Sequence, residues 1–282
     1  FEVGINALAT QLFTFRAALL MNLLHFFYGV GSTLSPRAAG ALASTQGWRM
    51  IYLLSIPAVL LFFILSIFAR FPRPEEKERQ EEQQAPENQA VKRTGFLTAL
   101  KTPMVWLFSI ALGLMVAVEL CSPNWAGLYF QDVYHLDPKT SGASFVSNFY
   151  ILFTVSRLLG GFVIEKVGYL RSLFITAIAT ILILIIGFAL GERGIFILPG
   201  LGLFTAIFWP TILATAMGYF KEDAPVMTSA IIVIAGSIYS GIQFLIGLAG
   251  PIWGYRSCLI YAVLIVVSLI VLSRYMRNPY RR

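Results

Sequence analysis

The stretch Met104–Phe130, MVWLFSIALGLMVAVELCSPNWAGLYF, decides the fold. It is a continuous apolar run interrupted by Glu119, Pro123, Asn124 and two serines. At about 1.5 Å of rise per residue, a helix of this length outreaches the roughly 30 Å hydrocarbon core of a bilayer. A helix is the economical way across, because lipid offers the backbone no hydrogen-bond partners.

Runs of the same character recur outward from it, at about 18–43, 50–70, 142–164, 171–190, 195–219, 226–249 and 256–275, with a shorter one at about 1–13. The composition agrees. Hydrophobic residues make up 57% of the chain and charged residues 12%, about half the charge of a soluble domain. The mean hydropathy is +0.75. No ten-residue alternating segments suggest an outer-membrane barrel. The expectation is an all-α, polytopic membrane protein.

The net charge of +7 is not a nucleic-acid signal, because the basic residues mark span ends and form no single patch. Arg16, Lys101, Lys166, Arg171, Lys221, Arg274, Arg277 and the bases between the third and fourth runs fall on one side. Arg49, Lys139, Arg193 and Arg256 fall on the other. The excess assigns the first side to the cytoplasm. Cys121 and Cys258 lie in or beside spans and read as reduced packing residues. His25 and His135 are too few and too distant for a metal site, so no metal is expected.

Between the third and fourth runs lies PRPEEKERQEEQQ, Pro72–Gln84, with no apolar residue to bury. Six spans follow this segment; two and part of a third precede it. That order predicts a partial N-terminal half over 1–70, a charged cytoplasmic linker over 71–101, a complete six-helix half over 102–276 and a cytoplasmic tail over 277–282. The segment Phe96–Leu100 is expected along the interface. The chain opens on Phe1 within an apolar run, which suggests that three and a half helices are missing from its start. Two six-helix halves around a cytoplasmic loop are the plan of many secondary transporters.

A charge at the bilayer centre costs about 2.5–3.5 kcal/mol on insertion scales, so each one within a span needs a partner, water or a function. The ionisable groups within spans are Glu2, His25, Arg37, Glu119 and Arg157. Glu119 lies near the middle of its run. Pro123, four residues on, has no N–H to return to the Glu119 carbonyl, and Asn124 and Trp125 add an amide and an indole one turn further. This predicts a broken helix lining a polar cavity, against the plainer reading of a structural kink. In the next run Ser147, Tyr150, Thr154, Arg157 and Gly161 share one helical face, with Asn148 beside it. Arg157 suits either the cavity or an ion-pair clamp. Gly236, Ser240, Gln243 and Gly247 share another face; its small residues suit close helix approach, but Gln243 is too large for a notch and is expected to reach the cavity. Trp209–Pro210 predicts a further kink. Asn22, His25 and Gly29 line up in the first half, with Tyr28 nearby.

These residues resemble the major facilitator superfamily. Gly161-Phe-Val-Ile-Glu165-Lys166-Val-Gly168-Tyr-Leu-Arg171 is similar to its signature loop, with Glu165 for the usual aspartate and Tyr169 at a basic position. On that resemblance the loop gates and binds no substrate. Within the superfamily, Phe1-Glu-Val-Gly-Ile-Asn6 and the segment Met21–Gly31 resemble the fourth and fifth helices of the fucose–proton symporter family of sugar permeases, and the segments at Glu119 and Arg157 its seventh and eighth. The resemblance implies a major facilitator bundle and makes Glu2 and Glu119 candidates for proton coupling. It implies a substrate cavity drawn from Asn22, His25, Tyr28, Asn124, Trp125, Asn148, Tyr150, Trp209 and Gln243; His25 and Tyr28 stand where the family has amides. It implies gating by Arg157, Gly161, Glu165, Lys166, Gly168 and Arg171.

The expected function is import of a sugar or similar small polar solute, driven by a proton gradient with no cofactor. A drug–proton antiporter is the alternative, and a receptor-like scaffold a more distant one. No enzyme signature is present: Gly29-Val-Gly31 is too short to cradle a phosphate and lies within a span. The expected setting is the plasma or inner membrane, crossed several times, with the linker and C-terminus cytoplasmic. The partners expected are a small solute and the lipid bilayer, without nucleic acid, the protein acting as a monomer.

Overall fold

A computed structural model of the chain describes residues 17–68 and 96–277. Glu2, the first run and the glutamate-rich core of the linker lie outside the described residues. Two helices come first, α1 (Ala17–Thr45) and α2 (Trp48–Phe68). After the linker come α3 (Phe96–Lys101), α4 (Pro103–Tyr134), α5 (Ala143–Val167), α6 (Tyr169–Ala189), α7 (Leu201–Thr205), α8 (Phe208–Phe220), α9 (Ala224–Arg256) and α10 (Cys258–Arg277). The described residues contain no strand, and seven stretches are long and apolar enough to cross a membrane. The segment expected along the interface at 96–100 forms the short helix α3.

The described residues fall into two units. One takes α1 up to Tyr28, its end from Leu42, and α2; the other takes Gly29–Ala41 of α1 and everything from α3 onward. In the first unit α2 buries none of its residues. A helix apolar but for Arg49, Ser55 and Ser66 suits lipid, not water.

In the second unit α4 is the axis. It packs along α9 and α10, α10 packs on α6, and α7 packs on α5. Residues 111–118 of α4 are buried on every side, as expected for a helix apolar all round. Lipid removes the hydrophobic drive between helices, so close packing must hold them. Gly113 provides it: a Cβ there would stand 2.8 Å from Ile238 and 3.0 Å from the Ala235 carbonyl of α9. The outward faces carry Phe162, Phe244 and Leu248, each about two-thirds exposed or more. Cys121 and Cys258 are both buried.

Three local features depart from the sequence expectation. α4 runs through Pro123 as one continuous helix, so no broken helix exposes backbone at Glu119; a proline within a membrane helix is tolerated where neighbours compensate. The run expected as one span at 195–219 is segmented. Short 3₁₀ turns at Gly191–Phe196 and Leu198–Gly200 lead into α7, and the helix restarts at Phe208. Pro210 explains the restart, because it cannot donate to the Ala206 carbonyl but fits the first turn of a new helix, where N–H groups lack partners anyway. Finally, α9 is kinked at Gly250, with φ 78° and ψ 168°, a conformation open to glycine, and Pro251 follows it.

Candidate functional site

The polar residues of the second unit gather at three places. The first is the α4–α9 seam. The Trp125 indole Nε1–H donates to Gln243 Oε1 at 2.8 Å, and Gln243 Nε2 donates to the Ala117 carbonyl at 3.1 Å. One amide thus uses both ends to tie two levels of α4 to α9. Gly247, one turn beyond Gln243, leaves room for the Trp125 ring, which lies 3.4 Å from the position of an added Cβ. Glu119 lies on α4 between Ala117 and Trp125, half-buried, and is engaged in an interaction of its own. Asn124 is exposed. The seam therefore brings together Trp125 and Gln243, with Glu119 on the same stretch of α4.

The second place is the face of α5. Thr154 donates to the Tyr150 carbonyl at 2.7 Å, and its side chain fills the space a Cβ on Gly29 would need. Tyr150 stacks edge-on against Phe149 and Phe153, with centroids 5.2 and 5.9 Å away. One turn on, the Arg157 guanidinium lies over the Phe153 ring, 4.5 Å from its centroid. Its Nε is buried without a hydrogen-bond partner. A buried donor left unpaired costs roughly 1–3 kcal/mol, more when charged. The Arg157 guanidinium is thus held against an aromatic face of its own helix. Toward the other end of α5, Asn148 Oδ1 accepts from Arg37 Nη2 at 2.9 Å. Gly40 of α1 sits against the Lys139 carbonyl and Ala143, so the segment 29–41 lies flush on α5.

The third place is the turn between α5 and α6. Gly168 has φ 91° and ψ 147° and caps both helices; an added Cβ would meet nothing, so the backbone angle and not crowding calls for glycine there. Its N–H donates to the Ile164 carbonyl at 2.8 Å and its carbonyl accepts from the Ser172 hydroxyl at 2.9 Å. Lys166 and Arg171 are exposed on either side, and Gly161 has open space around it. The side chain of Glu165 lies outside the described residues, as do those of Asn22 and His25 on α1. Tyr28 is 57% exposed, and Trp209 packs against the core at the start of α8.

Two residues take placements that their sequence context did not give. Arg37 was visible as a charge within a span, but its pairing with Asn148 spans 111 positions. Lys221, read from sequence only as one of the bases at span ends, adopts φ 50° just after α8 and lines a cavity with Arg171.

The sequence pattern of the Major Facilitator Superfamily matches residues 1–244. The chain is 25% identical over 166 residues to "Bypass of stop codon protein 6" of Saccharomyces cerevisiae, covering 52% of this chain and 32% of that protein. The fold is similar to FucP, a Major Facilitator Superfamily transporter in the outward conformation, with a TM-score of 0.54 and 16% identity over 82% of this chain and 55% of FucP. It is equally similar to a variant of the E. coli fucose:proton symporter FucP, at 0.54 and 17%, over 84% of this chain and 56% of that one. The chain thus spans about a third of the length of the yeast relative and just over half of FucP.

Proposed function

Because the chain belongs to the Major Facilitator Superfamily, we propose that it is part of a secondary transporter importing a sugar or similar small polar solute with protons. Alternating access would rock one six-helix half against the other. The observation that carries this reading is the Trp125–Gln243 hydrogen bond on the α4 stretch that also holds Glu119. An indole, an amide and a carboxylate within two turns, inside a membrane span, are groups that hold a neutral polyhydroxy solute. A carboxylate there can also take up and release a proton. Glu2 would be the second coupling carboxylate. The proton gradient is the driving force, with no cofactor. The setting is the plasma or inner membrane, with the linker and C-terminus cytoplasmic, and the working unit is a monomer. The loop from Gly161 to Arg171 and the Arg157 side chain serve the conformational change.

The test is pH-electrode recording on proteoliposomes carrying the full-length protein, with hexoses, 6-deoxyhexoses and polyols added in turn. A solute-dependent alkaline shift outside, lost in Glu2→Gln and weakened in Glu119→Gln, is the expected result. Absence of any shift, together with protection of a pump-deficient host against hydrophobic cations, would replace import with drug–proton antiport.

A further inference from the structure

We propose that the cavity between the α5–α6 turn, the end of α8 and the end of α10 is a binding site for a phosphate-bearing anion. The cavity is about 630 Å³. Its wall takes Gly168, Tyr169 and Arg171 from the α5–α6 turn, Gly218, Tyr219 and Lys221 from the end of α8, and Met276 from α10. Among the described residues its two charged side chains, Arg171 and Lys221, are both basic and come from different elements, and no described acidic residue lines it. Two like charges sharing a concavity repel unless an anion joins them, and low-dielectric walls focus the field they make.

The backbone builds this pairing. Lys221 sits at φ 50° and ψ −112°, a region a non-glycine residue rarely occupies. The chain leaves the helix there, and its side chain joins the cavity wall. Gly168 and Gly218 keep the cavity open: a Cβ on either meets nothing within 4 Å. Tyr169 and Tyr219 add phenolic groups of the kind that sit at headgroup depth. The rest of the wall includes Val167, Leu170 and Ala214, so the site is basic and tyrosine-rimmed on one part and apolar on another.

Location agrees. α5, α8 and α10 all finish here, so the cavity lies at the level where spans leave the membrane. Lys101, Lys166, Arg274 and Arg277 lie at this same end of the spans. The cavity lined by Asp132, His135 and Asp137, about 720 Å³, belongs to the other end. Basic pockets between helices on the cytoplasmic side are suited to anionic headgroups. The ligand chemistry is a phosphate group carrying negative charge, either the phosphodiester of an anionic lipid headgroup or inorganic phosphate. The inference is independent of the transported solute.

The 282-residue chain would be purified into phosphatidylcholine alone and into phosphatidylcholine doped with phosphatidylglycerol, and retained lipid counted by native mass spectrometry. A parallel arm adds inorganic phosphate to the phosphatidylcholine sample and follows its phosphorus NMR linewidth. Phosphatidylglycerol is expected to be retained selectively. The R171Q/K221Q double variant should weaken that retention by about thirtyfold. Gly218→Leu should also block it by filling the cavity with helix content unchanged, since leucine favours a helix over glycine; Arg193→Gln, at the other end of the bundle, should not. Linewidth broadening by inorganic phosphate that disappears in R171Q/K221Q would assign the site to the free anion. Retention and linewidth unaltered in both R171Q/K221Q and Gly218→Leu would overturn the proposal.

Discussion

The two-ended hydrogen bonding of Gln243 yields a sharp prediction. Gln243→Met keeps side-chain length and removes both the acceptor for Trp125 Nε1–H at 2.8 Å and the donor to the Ala117 carbonyl at 3.1 Å. Side-chain hydrogen bonds between membrane helices average about 0.6 kcal/mol and reach about 1.7. Losing two of them costs about 1–3 kcal/mol, with the half-buried indole N–H left unpaired at the upper end. At about 2–4 °C per kcal/mol for a chain of this size, the midpoint falls by about 2–12 °C. Trp125→Phe removes one of the two bonds and the ring edge against Gly247. In the double variant the Trp125–Gln243 bond is removed only once, so a mutant cycle should return a coupling of about 0.5–1.5 kcal/mol. The assay is equilibrium unfolding of the purified chain in mixed micelles, with the four proteins measured side by side. Additivity within about 0.3 kcal/mol would refute the clasp and make Gln243 a cavity residue whose contacts carry no stability.

Three further outcomes follow from single contacts. Arg157→Met keeps a long side chain over the Phe153 ring and removes a buried N–H without a partner, so unfolding stability should hold or rise by about 1 kcal/mol while solute uptake is lost; a loss above about 2 kcal/mol would reveal a hidden partner. Gly202→Ala drives a Cβ into the Phe149 carbonyl across the α5–α7 contact and should cost about 1–3 kcal/mol, whereas Gly161→Ala, with open space around it, should be neutral or better; thermal midpoints in one detergent decide between them. Asn148→Asp turns the exposed Arg37 hydrogen bond of 2.9 Å into an ion pair, which should add about 0.2–1 kcal/mol at low salt and less at high salt, read as a salt-dependent midpoint.

The spans were legible because crossing a bilayer is a local property of length and hydropathy. The run expected at 171–190 is Tyr169–Ala189, and that expected at 226–249 ends at the Gly250 kink. The segmented span before it was legible only in part. Trp209–Pro210 predicted a kink, but the helix yields upstream, at Ala206 and Ile207, because a proline acts on the carbonyl four residues before it. Pro123 carries the same chemistry and produces no break. The presence of a proline alone therefore does not decide whether a membrane helix breaks: the helix restarts at Phe208 ahead of Pro210 and runs on through Pro123.

The polar pairings were less legible, for a physical reason that separates them from the spans. Each member announced itself: Gln243 was too large for a packing notch, Trp125 carried an indole in need of an acceptor, and Arg37 was a charge within a span. Nothing local says which of these meet. Trp125 and Gln243 are 118 positions apart, and a rotation of either helix by one residue, about 100°, would separate them. What sets that register is the seat of Ile238 against Gly113, itself a long-range contact. A polar pair in a membrane bundle is therefore read from sequence as two unmet needs, and its geometry follows from apolar packing elsewhere on the same two helices. Gly113→Leu should accordingly weaken the Trp125–Gln243 bond without touching either residue. The sign would be exposure of the indole, seen as a red-shifted Trp125 emission in a variant whose other four tryptophans are phenylalanine; an unshifted spectrum would mean that the clasp sets the register and the glycine merely accommodates it.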